Sequence, residues 1–315
     1  LEWKNKTVVT EFILLGFGNG PELDYLLFLM FLMTYIMTIT WNTFIIALVV
    51  ADQSLHIPMY FFLGNLACLD ICYSSNILPR MLLSYLSGDR SISVAKCFTQ
   101  YYFFGCLAAA ECYLLAVMSY DRYVAICHPL HYTTRMNRQM CFHMVIACWV
   151  AGIPFSAGLT GWLFSYPFCG SKEIEHFFCD IAPVLDLVCS DTYLFELLVF
   201  VATVTIVLIP FILIAASYVR IIHTILQMQS SEGRRKAFFT CFAHLVVVTL
   251  FYCTTGLIHL KPRSRFLVKS RKLVALSYTV VTPMLNPIIY SLRNKEVKHA
   301  LRKTFGRKQF SKMHL

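Results

Sequence analysis

Charge is what this 315-residue chain has least of. Only 14% of its residues are Asp, Glu, Lys or Arg, against about 25% in a soluble domain. With 58% hydrophobic residues and a mean hydropathy of +0.63, a water-soluble globular architecture is excluded. Catalytic signatures are missing as well. The chain has no Gly-x-Ser-x-Gly, no phosphate-binding glycine loop and no His-Glu-x-x-His, so no enzymatic chemistry is expected. No Cys/His cluster has zinc spacing, so a structural metal is not expected either. Internal repeats with matching broken helices, the mark of many transporters, are also lacking.

What is present is a series of seven uncharged runs: Tyr25–Val50, Ile57–Pro79, Cys97–Tyr120, Gln139–Ser171, Leu197–Val219, Ala237–Leu260 and Leu273–Leu292. Only Asp70 interrupts the second and only Glu111 the third. Each run reaches the roughly 20 residues that an α-helix needs to cross about 30 Å of hydrocarbon. The expected fold is an all-α membrane protein, a seven-transmembrane helix bundle followed by a short amphipathic eighth helix. The boundaries follow: an outer N-terminal segment over 1–24, the bundle over 25–292, and a cytosolic helix and tail over 293–315. Leu1–Asp24 is mixed and polar apart from Phe12–Phe17 and shows no cleavable leader, so the first span is expected to act as the targeting signal.

Basic residues set the orientation. The side with the Asp121 loop, the Arg220–Lys236 loop and the tail from Arg293 holds 15 Lys/Arg and 4 acids, against 12 and 11 on the other side. That places the tail in the cytosol and the N-terminus outside; the membrane expected is the plasma membrane. Asn5-Lys6-Thr7 is then an exposed glycosylation sequon. The third outer loop runs against the trend, with Lys261, Arg263, Arg265, Lys269, Arg271 and Lys272 and no acid. Those cations either favour carboxylate-bearing ligands, with His259 below them, or lie against loop acids such as Glu173, Glu175 and Asp180.

Polar groups inside the apolar runs carry the functional signal, because intramembrane charge is costly. Asn42, in the middle of the first span, requires a partner within the bundle. Asp70 and Glu111 lie at depths of roughly 20 Å and 15 Å from the cytosolic face, at about 1.5 Å per residue. Two carboxylates at comparable depth would repel, so either one is protonated, a cation sits between them, or each is hydrogen-bonded separately. Of 13 cysteines, four (Cys97, Cys169, Cys179 and Cys189) lie at or beyond the outer ends, where two disulfides can form in any of three connectivities. Proline inside a span frees a carbonyl and makes a kink, as at Pro210 and Pro287. Arg293–Lys312, with eight basic residues and one acid, reads as an amphipathic helix on the anionic inner leaflet.

Five strings now stand in order at the helix ends: Leu55–Leu63, Met118–Cys127 with Asp121-Arg122-Tyr123, Ser217-Tyr218, Lys236–Leu245, and Pro283–Asn294. With Phe12–Phe17 they make the chain resemble an olfactory (odorant) receptor, a branch of the rhodopsin-like G-protein-coupled receptors. His176-Phe177-Phe178-Cys179-Asp180 resembles the tetrapod-type division, class II. Two departures stand out: Trp41 precedes Asn42 where glycine is usual, and Ser119 replaces the more usual alanine.

The resemblance implies disulfides Cys97–Cys179 and Cys169–Cys189, and an allosteric sodium site at Asp70 and Glu111, with no other cofactor. It implies that Asp121 holds Arg122 at rest, and that Arg122 moves toward Tyr218 and Tyr290 on activation. Tyr123, His244, Asn286 and Pro287 belong to the same switch, and Tyr252 to the hinge above it. The implied odorant pocket is lined by Phe104, Gly105, Ala108 and Ala109, by Ala202, Thr205 and Ile206, and by Tyr252, Thr255, Gly256, His259 and Tyr278. A mostly apolar lining with a few hydroxyls suits a small volatile organic ligand. The implied partners are such an odorant, an olfactory-type stimulatory heterotrimeric G protein and membrane lipid, with no nucleic acid. Cyclic AMP would be the output.

Overall fold

The computed structural model describes residues 9–18, 20–169, 171–259 and 268–293. Seven helices among them are long and apolar enough to cross a membrane. They are α1 (Pro21–Ala51), α2 (Pro58–Ser87), α3 (Val94–Cys127), α4 (Arg138–Leu163), α5 (Tyr193–Gln227), α6 (Ser231–His259) and α7 (268–293). This is a multi-pass membrane protein. The stretch beyond Arg293, where the amphipathic eighth helix was expected, lies outside the described residues, as does Asn5.

Helix boundaries follow local chemistry. Pro21 and Pro58 sit in the first turns of α1 and α2, where the missing N–H would have had no helical acceptor. Ser93 caps α3 by accepting from the Lys96 N–H at 3.3 Å, and Asn137 caps α4 by accepting from Met140 N–H at 2.8 Å. Gly88 closes α2 with φ +71°, a left-handed conformation that favours glycine. α4 stops at Leu163, short of the Ser171 expected from hydropathy, because Pro167 soon after it cannot continue a helix. α5 and α7 each contain one widened π turn, at Val204–Leu208 and Ser277–Val281. Each precedes a proline by two residues, Pro210 and Pro283, and the widening relieves the clash of the ring with the preceding turn.

α3 is the axis of the bundle, packing against α2, α4, α5 and α6. α1 and α5 turn large apolar side chains outward, among them Leu26, Met33, Phe200 and Val219. Lipid makes that exposure free of cost.

One end of the bundle carries a cap that hydropathy did not foresee. Glu11–Leu14 forms β1, the centre of a three-stranded sheet with order β2-β1-β3, where β2 is Ser91–Ser93 and β3 is Glu173–Ile174. β1 runs antiparallel to β2 and parallel to β3. The N-terminal segment is therefore docked in part: Phe12 and Leu14 are buried with Ile92, Leu163 and Ile174 in a second apolar cluster. Arg90 fastens its far end with an ion pair to Asp24 at 3.0 Å and hydrogen bonds to the Leu15 and Gly18 carbonyls. Disulfides join Cys97 to Cys179 and Cys169 to Cys189, with Cα separations of 5.5 and 5.8 Å.

Candidate functional site

At the end opposite the cap, Asp121 is fully buried and Arg122 largely so. The Arg122 Nε stands 3.6 Å from the Asp121 Oδ2 and donates to the Met59 Sδ at 3.3 Å. The second carboxylate oxygen of Asp121 accepts from the Tyr132 hydroxyl at 2.9 Å. Tyr132 reaches back because a 3-10 turn at Pro129–His131 reverses the chain just after α3. The Asp121 charge thus has two partners, which a buried carboxylate needs. Tyr123 points elsewhere, its hydroxyl 3.0 Å from the His128 Nε2.

Facing Arg122 are Tyr218 of α5, His244 of α6 and Tyr290 of α7, all within range of its positive charge. Tyr218 and His244 are joined at 2.6 Å between the hydroxyl and Nδ1, with their rings stacked at 5.7 Å. Tyr290 is buried, and its hydroxyl has no hydrogen-bond partner among the described residues. The cation is held on one side by α2 and α3, with Tyr218, His244 and Tyr290 on the other.

One layer deeper, Asn286 of α7 donates to both oxygens of Asp70, at 3.1 and 3.2 Å. Glu111 lies close enough for the two carboxylates to repel each other. Glu111 Oε1, Asn286 Oδ1 and the Tyr73 hydroxyl have no hydrogen-bond partner among the described residues. Asn42 of α1 donates to the Pro283 carbonyl at 3.0 Å. That carbonyl is the one Pro287, four residues on, leaves without its helical N–H. α1, α2 and α7 are thereby tied by polar bonds at mid-depth.

Toward the cap an aromatic cluster takes over. Phe104 is 5.4 Å from Tyr73, 5.0 Å from Phe178 and 6.0 Å from Tyr278, ring centre to ring centre. Tyr252 lies 5.2 Å from Phe211 and donates to the Cys112 carbonyl at 3.3 Å. Ala108 and Ile206 pack at the edge of the core and Ala202 is buried in it. Thr205 donates back to the Val201 carbonyl at 2.8 Å. Thr255 and Gly256 are half-buried, and the His259 side chain lies outside what is described. Two expected lining residues face another way. A Cβ on Gly105 would meet the Ser156 Oγ at 2.6 Å, and Ala109 abuts Gly152. Both sit on the side of α3 that packs against α4, so they serve close helix approach and leave the aromatic cluster to Phe104 and Ala108.

The loop 176–180 plugs the bundle above this cluster, with all five residues buried. Gln100 of α3 pins it by accepting from the Cys179 N–H at 2.9 Å. Burial and the nearby Lys272 and Arg271 charges push the His176 imidazole down to about 3. Burial raises the Asp180 carboxyl to about 6, opposed by the Ile181 N–H and Arg271. Of the basic stretch near α7, Lys272 donates to the Gly16 carbonyl at 2.9 Å and faces Glu175, and Arg271 faces Asp180. These two cations therefore lie against acids of the preceding loop. Lys261, Arg263 and Arg265 lie outside the described residues, as does the Lys269 side chain.

A family model described as "Olfactory receptor" matches residues 31–308. The chain belongs to the olfactory receptor family. Among curated human relatives, it is 49% identical to Olfactory receptor 10A7 over 310 residues, covering 98% of each chain. It is 52% identical to Olfactory receptor 10A5 over 302 residues, covering 96% of this chain and 95% of the other. With Olfactory receptor 10A4 it shares 51% over 306 residues, covering 97% of each. Membership makes the protein a G-protein-coupled receptor and not an enzyme. Tyr132, Met59 and Gln100 are the polar or soft partners in this receptor that sequence patterning missed. Met59 falls within the Leu55–Leu63 string, and the only signal for Tyr132 is its place as the aromatic residue just after His128-Pro129-Leu130-His131.

Proposed function

We propose that this olfactory receptor binds small, mostly apolar odorants in the outer half of its bundle and activates an olfactory-type stimulatory G protein, raising cyclic AMP. The N-terminus faces outward from the plasma membrane, and the Asp121 end faces the cytosol. The observation that carries the reading is the divided neighbourhood of Arg122. Asp121, itself held by Tyr132, and Met59 hold it on the α2–α3 side, while Tyr218, His244 and Tyr290 stand opposite. Outward movement of α6 would break the Tyr218–His244 bond and free Tyr218 for Arg122, opening a cytosolic cleft. A ligand seated against Phe104, Tyr252 and Tyr278 touches α3, α6 and α7 together and can bias that movement.

Sodium fits the mid-bundle donor set. Asp70, Glu111 and Asn286 present oxygens from three helices, and two of these, Glu111 Oε1 and Asn286 Oδ1, lack hydrogen-bond partners among the described residues. A cation held by these residues would offset the mutual repulsion of the carboxylates and would link α2, α3 and α7 in the resting arrangement.

A cyclic AMP reporter in cells with and without the stimulatory G protein, exposed to a chemically broad odorant panel, tests the reading. Ligand-dependent cyclic AMP only in the presence of that G protein is the expected result. Ligand uptake without any signal would point to transport instead.

A further inference from the structure

A cavity opens on the side of the bundle, away from the aromatic cluster. It lies between α3, α4 and α5 toward the Asp121 end, with a volume of about 630 Å³. It exists because three helices present small side chains at the same level: Ala116 from α3, Ala147 and Ala151 from α4, and Ala216 and Ser217 from α5. No Asp or Glu lines it, and the one charged lining residue is Arg220, at its mouth. Arg220 is exposed, and among the described residues no acid lies within ion-pair distance of it.

We propose that this groove is a binding site for an anionic phospholipid of the cytosolic leaflet, with one acyl chain in the groove and the headgroup phosphate on Arg220. Three features favour that occupant. The α3 wall runs from Tyr113 to Tyr123, ten residues or about 15 Å of rise, which is half of a roughly 30 Å hydrocarbon core. The groove therefore spans one leaflet, from midplane to headgroup. Its walls are apolar along that length and cationic only at the headgroup end. A guanidinium matches phosphate geometry through paired N–H donors, and the cytosolic leaflet is the anionic one. Because the cavity touches α3 and α5 on the lipid side of Tyr218, an occupant would couple lipid composition to the same two helices that flank Arg122.

The test uses the full-length receptor in nanodiscs, with trace phosphatidylserine or phosphatidylcholine carrying a photoreactive group in the acyl chain. Labelled peptides are located by mass spectrometry. Both leaflets of a nanodisc are alike, so the outcome does not depend on the orientation or coupling proposed above. The serine lipid should label segments 144–151 and 213–220 about fivefold more than the choline lipid, the factor expected of one basic residue near an anionic headgroup. Arg220→Gln should bring the two lipids level. Ala147→Phe with Ala216→Phe should lower labelling of these segments by both lipids while leaving α1 labelling unchanged. If that filled variant fails to fold, Arg220→Gln decides alone. Equal labelling of the unaltered receptor by the two lipids would overturn the proposal, leaving an ordinary lipid-facing surface. So would persistence of the serine preference in Arg220→Gln, or an absence of lipid adducts at 213–220 in the unaltered receptor.

Discussion

Asn42 donates its amide to the carbonyl of Pro283 at 3.0 Å, and Pro287 is the reason that carbonyl is free. A proline inside α7 removes the N–H that the residue four positions earlier would have accepted, and a side chain from α1 supplies the replacement. The kink and the cross-helix bond are two halves of one arrangement. Its removal can be measured. Asn42→Ala should lower stability by about 0.6 kcal/mol and by no more than about 1.7 kcal/mol, the average and maximum for interhelical hydrogen bonds in membranes. Pro287→Ala restores a helical donor for the same carbonyl. The two changes together should therefore cost less than their sum. Thermal unfolding of the purified receptor and its three variants checks this; additive losses would mean that the bond carries no coupling.

Arg122 is the residue whose loss should separate folding from signalling. It lies between two sets of partners and belongs to neither core cluster. Arg122→Ala should abolish odorant-driven cyclic AMP while leaving surface expression largely intact. Normal signalling by that variant, at matched surface level, would break the case for the latch.

Tyr132 should act in the opposite direction. A hydrogen bond to a charged group contributes about 1.5–3 kcal/mol, and the Tyr132 bond to Asp121 stabilises the arrangement in which Asp121 holds Arg122. Tyr132→Phe deletes one hydroxyl and keeps the ring. Basal cyclic AMP is expected to rise roughly tenfold, the factor for about 1.4 kcal/mol, up to the ceiling set by the G protein. Unchanged basal output would show that the bond is the same in both states.

Much of this arrangement was legible before any coordinates. Crossing a bilayer dictates the length and apolarity of seven helices, and polar residues that survive inside them, such as Asn42, Asp70 and Glu111, declare themselves by cost. Pairings across the fold were harder. That Asn42 needed a partner and that Pro287 freed a carbonyl could each be seen, but not that one answers the other, because they are 241 positions apart as donor and acceptor. The Tyr132 contact with Asp121 could not be read from its position alone, because it depends on the tight turn at Pro129–His131. β1 was missed because four residues with two inward side chains, Phe12 and Leu14, make too short an alternation to outweigh a polar setting. Gly105 and Ala109 came into the expected pocket with Phe104 and Ala108 through the family resemblance, which does not say that Gly105 and Ala109 also meet Ser156 and Gly152 of α4.

The plug at 176–180 should make stability depend on pH in a two-step manner. His176 has its folded value depressed to about 3, so the unfolded chain takes up a proton first, near 6.5. Stability is present above that and falls as pH drops, by about 1.4 kcal/mol per unit. Asp180 has its folded value raised to about 6, so below that it is the folded state that holds the extra proton, and stability rises as pH drops toward the ordinary carboxylate range. Together they predict a shallow loss between pH 6.5 and 6, then a plateau. Asp180→Asn should convert the plateau into a continuing loss, and His176→Gln should turn it into a gain. Melting temperatures of the purified variants from pH 7 to pH 5 would reveal either pattern, and parallel curves for all three proteins would refute the assignment.

The α3–α4 contact separates residues that shape the ligand site from residues that merely bring helices together. A Cβ on Gly152 would stand 2.7 Å from the Ala109 Cβ and 3.0 Å from the Cys106 carbonyl oxygen, and neither can move without shifting a helix. Gly152→Ala is therefore expected to destabilise by about 1–3 kcal/mol, as overpacking does, and to lower surface abundance several-fold. Gly158, on the same helix but with nothing within 4 Å of its missing Cβ, should accept alanine without loss. Gly105→Ala meets only the Ser156 side chain, its Oγ at 2.6 Å and its Cβ at 3.4 Å, and the close hydroxyl can rotate away, so its cost should be smaller than that of Gly152→Ala. Because Gly105 faces α4, its alanine variant should keep the rank order of odorant potencies. Phe104→Leu, at the centre of the aromatic cluster, should reorder them. If Gly105→Ala reordered the panel and Phe104→Leu did not, the ligand would have to sit against α4, and the aromatic cluster would be packing alone.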